Sequence, residues 1–121
     1  MKTDAQEFVG MLFMSRDYAH SAHLNTSSFA QHMALNTFYD GIVELADKFA
    51  EAYMGRTGKK IGAIATIESP KGAPEIVLRR HMEVIEDTRD FVRKEDTPLH
   101  NIIDEIVGLY LSTLYKLDQL K

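Results

Sequence analysis

One stretch of this chain, Phe29 to Gly55, restricts its fold more than any other. Set on a helix turning about 100° per residue, with His32 at the origin, Leu35, Phe38, Ile42, Leu45 and Phe49 fall between about 220° and 300°. That arc is an apolar face of helical period. Asn36, Asp47 and Glu51 fall at about 40°, 60° and 100°, beside His32 and away from the apolar arc. Val43, Ala50 and Met54 share this second stripe, at about 0° to 40°. Apolar residues interleaved with an imidazole and carboxylates point to a second buried contact rather than a solvated side. The stretch is therefore expected to be a helix with two dry faces, one against its own chain and one against a neighbouring copy.

The rest of the chain reads as three more helices. A first helix is expected over Asp4 to His23, where Asp4 followed by Glu7 suits an N-terminal cap. Phe8, Met11, Leu12, Ser15, Tyr18, Ala19 and Ala22 form its inner stripe. Asn25 to Ser28 break the helix and offer hydroxyl caps to the next one, which runs to about Tyr53 with Gly55 as its stop. Residues Arg56 to Ala73 form the one long connection, punctuated by Gly58, Gly62, Pro70 and Gly72. Ile61 to Ile67 is apolar enough for a strand, but a lone strand has nothing to pair with, so a crossover loop packed along the bundle is expected. Pro74 opens a third helix that runs to about Arg93, and Lys94 to Asp96 form a turn. Thr97 is expected to cap a fourth helix with Pro98 in its first turn. Two short links and one long one describe an all-α, antiparallel four-helix bundle with one long crossover connection. The 121 residues suffice for a single domain spanning 1–121.

Composition removes several functions. The absence of cysteine excludes disulfide frameworks, thiolate zinc sites and cysteine nucleophiles. A metal site here uses His, Asp and Glu, which suits iron, manganese or zinc. The net charge of −4 and the lack of a basic tail disfavour nucleic acid as a partner. No segment has the apolar length of a membrane span, and the N-terminus lacks a signal-peptide layout, so a cytoplasmic location is expected. Ser27 and Ser28 read as caps, not nucleophiles, and the Gly55–Lys60 run is not a phosphate-binding loop. His81 and His100 read as surface or cap residues, the methionines as core filler, and Arg79, Arg80, Arg89 and Arg93 as a solvated face with salt bridges. Taken alone, Asp47 with Glu51 also describes a hydrated acidic face, and His32 a hydrogen-bonded helix histidine. His20 and His23, three residues apart, share a helix face and can chelate one cation.

The run His23-Leu24-Asn25, then Thr26 to Ser28, Phe29 and His32, with Asp47 and Glu51 four residues apart below, resembles the Dps or mini-ferritin branch of the ferritin-like superfamily. The ending from Asp96 to Leu120 looks like that family's last helix. The resemblance implies a di-iron site between two subunits. One chain supplies a first-helix His and a second-helix His and carboxylate, and its partner supplies an Asp and a Glu. Carried over, His32 matches the second-helix His, while Asp47 and Glu51 match the partner's carboxylates. Either His20, by spacing, or His23, by context, matches the first-helix His. Asn36 stands where the family has a carboxylate, Leu24 replaces a Trp, and the lysine-rich tail is missing. Small, tail-less relatives of this kind look like proteins encoded by bacteriophages, which would place the protein in a host cytoplasm.

Two functions follow from the resemblance. One is a non-enzymatic binding or structural module that keeps the bundle, forms a homo-oligomer through helix two, and takes a host protein or small ligand. Its metal site, built from His20, His23, His32, Asn36, Asp47 and Glu51, has decayed at Asn36. The alternative is an iron-binding ferroxidase that oxidises ferrous iron at that site. The missing carboxylate favours the first.

Overall fold

The computed structural model describes residues 4–65 and 70–120. Among them the chain is all-α, with α1 (Ala5–Asn25), α2 (Phe29–Thr57), α3 (Pro74–Asp87) and α4 (Thr97–Gln119), and one 3₁₀ turn at Arg89–Phe91. The helix starts follow local chemistry. Asp4 accepts from the Glu7 amide at 2.9 Å, and the Ser28 hydroxyl accepts from the Gln31 amide at 3.2 Å.

Four helix ends differ from the sequence reading. Thr26 closes α1 by bonding the Ala22 carbonyl, so the helix extends past His23 to Asn25. Gly55 stays helical; α2 stops instead at Gly58, whose φ of 72° lies in the left-handed region that a side chain disfavours. The third helix ends at Asp87, six residues before the expected Arg93. There the Thr88 hydroxyl bonds the Val84 carbonyl at 2.6 Å, and the 3₁₀ turn swings Phe91 into an aromatic cluster with Phe8, Phe49 and Tyr53. Asp96, not Thr97, caps α4, accepting from the Leu99 amide at 3.5 Å. The Arg56 guanidinium donates to the same carboxylate at 2.8 and 3.0 Å and holds it below the usual carboxylate range.

All four helices share one apolar core, which includes Leu12, Phe38, Leu78 and Ile106. Contacts fix their directions. Phe8 packs edge-on against Phe49, with ring centroids 4.8 Å apart, so α1 and α2 are antiparallel. Phe38 on Tyr110 and Arg56 on Asp96 set α4 antiparallel to α2. Arg79 on Asp118 (2.7 Å) and Arg89 on Asp104 (2.9 Å) set α3 antiparallel to α4 and populate the expected charged face. The helices α2 and α3 thus run in the same direction. The described ends of their connection accordingly lie along α1. The Gln6 amide donates to the Ala63 carbonyl, Ile64 lies over Gly10, and the Tyr18 hydroxyl donates to the Gly72 carbonyl at 2.5 Å. Ile61 to Ala65 form no strand; Thr66 and Ile67 lie outside the described residues. The apolar arc of α2 is buried as expected, with Leu45 partly so. On the second stripe Val43 is 36% exposed, and Ala50 and Met54 are half-buried within one chain.

Candidate functional site

Only Thr26, Ser27 and Ser28 separate α1 from α2. The Thr26 hydroxyl donates to the Gln31 carboxamide at 2.8 Å and accepts from the Ser28 amide at 3.1 Å, which tightens the link. This tightness lays the rings of His23 and His32 face to face, with centroids 3.6 Å apart and planes 24° from parallel. Each Nδ1 meets the other residue's backbone carbonyl, at 2.7 Å from His23 and 2.9 Å from His32. A carbonyl only accepts, so both Nδ1 atoms carry a proton, and in the neutral rings both Nε2 atoms keep a lone pair. The His23 carbonyl is also one of the four that α1 leaves without a helical partner at its end, so the His32 ring caps that helix.

The cluster continues along α2. The His20 ring stacks on Tyr39 at 4.2 Å, and Tyr39 also meets His23 edge-on at 5.3 Å. The Tyr39 hydroxyl donates to Asn36 Oδ1 at 2.8 Å, and the Asn36 amide points to Asp40 at 3.5 Å. His23 is buried, whereas His20, His32, Asn36 and Tyr39 are half-buried. A hollow of about 330 Å³, lined by Thr26, Ser27, Ser28, Phe29 and His32, admits solvent to the corner.

The fold therefore brings together His20, His23, His32 and Asn36 from the sequence candidates. It leaves Asp47 and Glu51 exposed, about 22 and 28 Å of helix rise beyond His32. Among the described residues no three His, Asp or Glu side chains of one chain converge to hold a metal ion. A complete centre from these six residues needs a second chain. Part of the donor set fits a metal. A ligating histidine usually gives its other ring N–H to a carbonyl or carboxylate, as His23 and His32 do. Asn36 fits poorly, being uncharged with its oxygen already bonded by Tyr39.

Sequence reasoning missed Tyr39, although its place three residues after Asn36 puts it on the same side of α2. It also misplaced His81, which is buried at 4% exposure rather than lying on the surface. His81 Nδ1 lies 2.7 Å from Ser15 Oγ, which in turn accepts from the fully buried Tyr110 hydroxyl at 2.6 Å. His100 matches its expected cap-like role. Its Nδ1 accepts from the Arg89 guanidinium at 3.1–3.2 Å, and its Nε2 donates to the Arg93 carbonyl at 3.1 Å.

No helix among the described residues is long and apolar enough to cross a membrane. No solved structure matches the chain. It is 27% identical over 113 residues to an uncharacterised 14.6 kDa protein from the mobD–ri intergenic region of Enterobacteria phage T4, a match covering 93% of this chain and 87% of that protein. Residues 23–117 match the model of a family of unknown function, DUF5856. That span begins at the corner histidine and takes in α2, α3 and nearly all of α4, so the chain belongs to the DUF5856 family.

Proposed function

We propose that this protein is a non-enzymatic binding module, a ferritin-like four-helix bundle that self-associates along the outer stripe of α2. The observation that carries this reading is Asn36. On the resemblance to the mini-ferritins it stands where those proteins take a carboxylate, and its oxygen is already bonded by Tyr39 at 2.8 Å. An uncharged amide stabilises an oxidised metal pair less than a carboxylate does. Self-association draws support from the exposure of Phe29 (78%), Met33 (47%) and Val43 on the same stripe. The phage T4 relative supports a phage-encoded protein, and on this reading it works in a host cytoplasm, on a host protein or a small ligand.

The test combines light scattering over a range of concentrations with aerobic addition of ferrous iron. A dimer or larger species that Val43→Arg disperses, with no ferric product above the buffer control, is the expected result. A monomer at every concentration would overturn it.

One observation favours a second reading, oxidation of ferrous iron as substrate by oxygen or peroxide. The Nδ1 protons of His23 and His32 are fixed on carbonyls, which frees both Nε2 lone pairs for a metal. In that case Asp47 and Glu51 of a second copy supply the anionic ligands. Ferric product formed above the control, and lost in Asp47→Ala with Glu51→Ala, would establish this reading over the first.

A further inference from the structure

We propose that His81, together with Ser15 and Tyr110, is an acid-sensitive latch holding α3 against α1 and α4. The three side chains come one from each helix and meet in the core, with Ser15 and Tyr110 both at 0% exposure. They form a chain of two hydrogen bonds, Tyr110 to Ser15 at 2.6 Å and Ser15 to His81 Nδ1 at 2.7 Å. Counting protons fixes its direction. If Tyr110 donates to Ser15 and Ser15 donates to a bare Nδ1, both hydroxyl protons have a partner. If Nδ1 carries a proton, Ser15 accepts from both neighbours, and its own hydroxyl proton is left without an acceptor in a fully buried position. The latch therefore closes on neutral His81 in its Nε2–H form, and a proton on Nδ1 breaks it.

The surroundings of His81 agree. From α1, besides Ser15, the Tyr18 ring meets it edge-on at 6.4 Å. The Tyr18 hydroxyl is committed to the Gly72 carbonyl, and burial together with Glu75 pushes it up to about 12, so it stays protonated. From α4, Tyr110 is pushed upward by burial and also stays protonated. On its own helix, Arg80 is the charge that bears on the ring. Burial first and Arg80 second push the His81 imidazole below its usual range. An unfolded or detached segment takes that proton at about pH 6.5, and the closed latch only at lower pH. Stabilisation by the latch is thus complete above about pH 6.5 and is lost as the pH falls through and below it. The helix that yields is α3, the shortest at 14 residues, whose N-terminus at Ala73 has no side-chain cap.

Amide exchange in the full-length protein, corrected for the intrinsic chemical rate and followed from about pH 7.5 to about pH 5, tests the latch. In the wild type the opening equilibrium of α3 rises several-fold over this range, and more than that of the paired α1 and α2. In His81→Asn, whose Oδ1 accepts from Ser15 without titrating, that rise disappears. A rise of equal size in the variant, or a flat profile in the wild type, overturns the proposal. If the variant does not fold, ¹⁵N NMR of the wild-type ring decides. An Nε2–H tautomer titrating below free imidazole supports the latch, and an Nδ1–H tautomer or an ordinary titration overturns it.

Discussion

The α1–α2 corner and the α1–α3–α4 seam both rest on histidine Nδ1, and they use it in opposite senses. At the corner, Nδ1 of His23 and of His32 faces a carbonyl and must donate. In the seam, Nδ1 of His81 faces a buried hydroxyl whose proton has no other acceptor, and it accepts. The corner thus turns two Nε2 lone pairs away from its internal bonds, while the seam spends its lone pair inside the core. The corner is also half-open, with Leu24 and Phe29 exposed at 70% and 78% beside it, whereas Ser15 and Tyr110 are closed off entirely. The same residue type therefore keeps its Nε2 lone pair free of internal bonds in one place and uses its Nδ1 lone pair inside the core in the other, according to the partner placed opposite one ring nitrogen.

The division makes truncations near the seam costlier than truncations at the corner. The largest effect is expected for Phe38→Ala. Its ring is at 0% exposure and packs on Tyr110 at 4.9 Å, and its loss costs about 3–5 kcal/mol of unfolding free energy in urea titration. Tyr110→Phe keeps the packing but removes the donor to Ser15, for about 1–3 kcal/mol. His32→Ala loses a neutral hydrogen bond at a half-open site and costs about 1 kcal/mol. A cost for His32→Ala larger than that for Tyr110→Phe would break the contrast. Lys48→Ala, which removes an exposed pair with Glu105 at 3.2 Å, changes stability by less than about 0.5 kcal/mol and sets the floor.

Much of this was legible in the sequence where the cause is local. The stripe on α2, the Asp4 cap and the Pro74 start depend on neighbours within a turn or two, and they lie where periodicity and capping place them. The proximity of His23 to His32 follows from a three-residue link, which is also local. What escaped was decided at a distance. His81 looks like a polar interruption between Leu78 and Met82 until Ser15, 66 residues away, supplies its partner. The early end of α3 follows from where Phe91 must go, and its aromatic partners on α1 and α2 cannot be seen from α3 itself. Asp47 and Glu51 are legible as a stripe, but a stripe does not reveal whether anything covers it, and within one chain both are exposed.

The opposed use of Nδ1 is tested most directly by ¹⁵N NMR of the ring nitrogens, assigned residue by residue at about pH 7.5. The expected spectrum has the proton on Nδ1 in His23 and His32 and on Nε2 in His81. Finding His23 or His32 protonated only on Nε2, or His81 on Nδ1, would contradict the division between corner and seam.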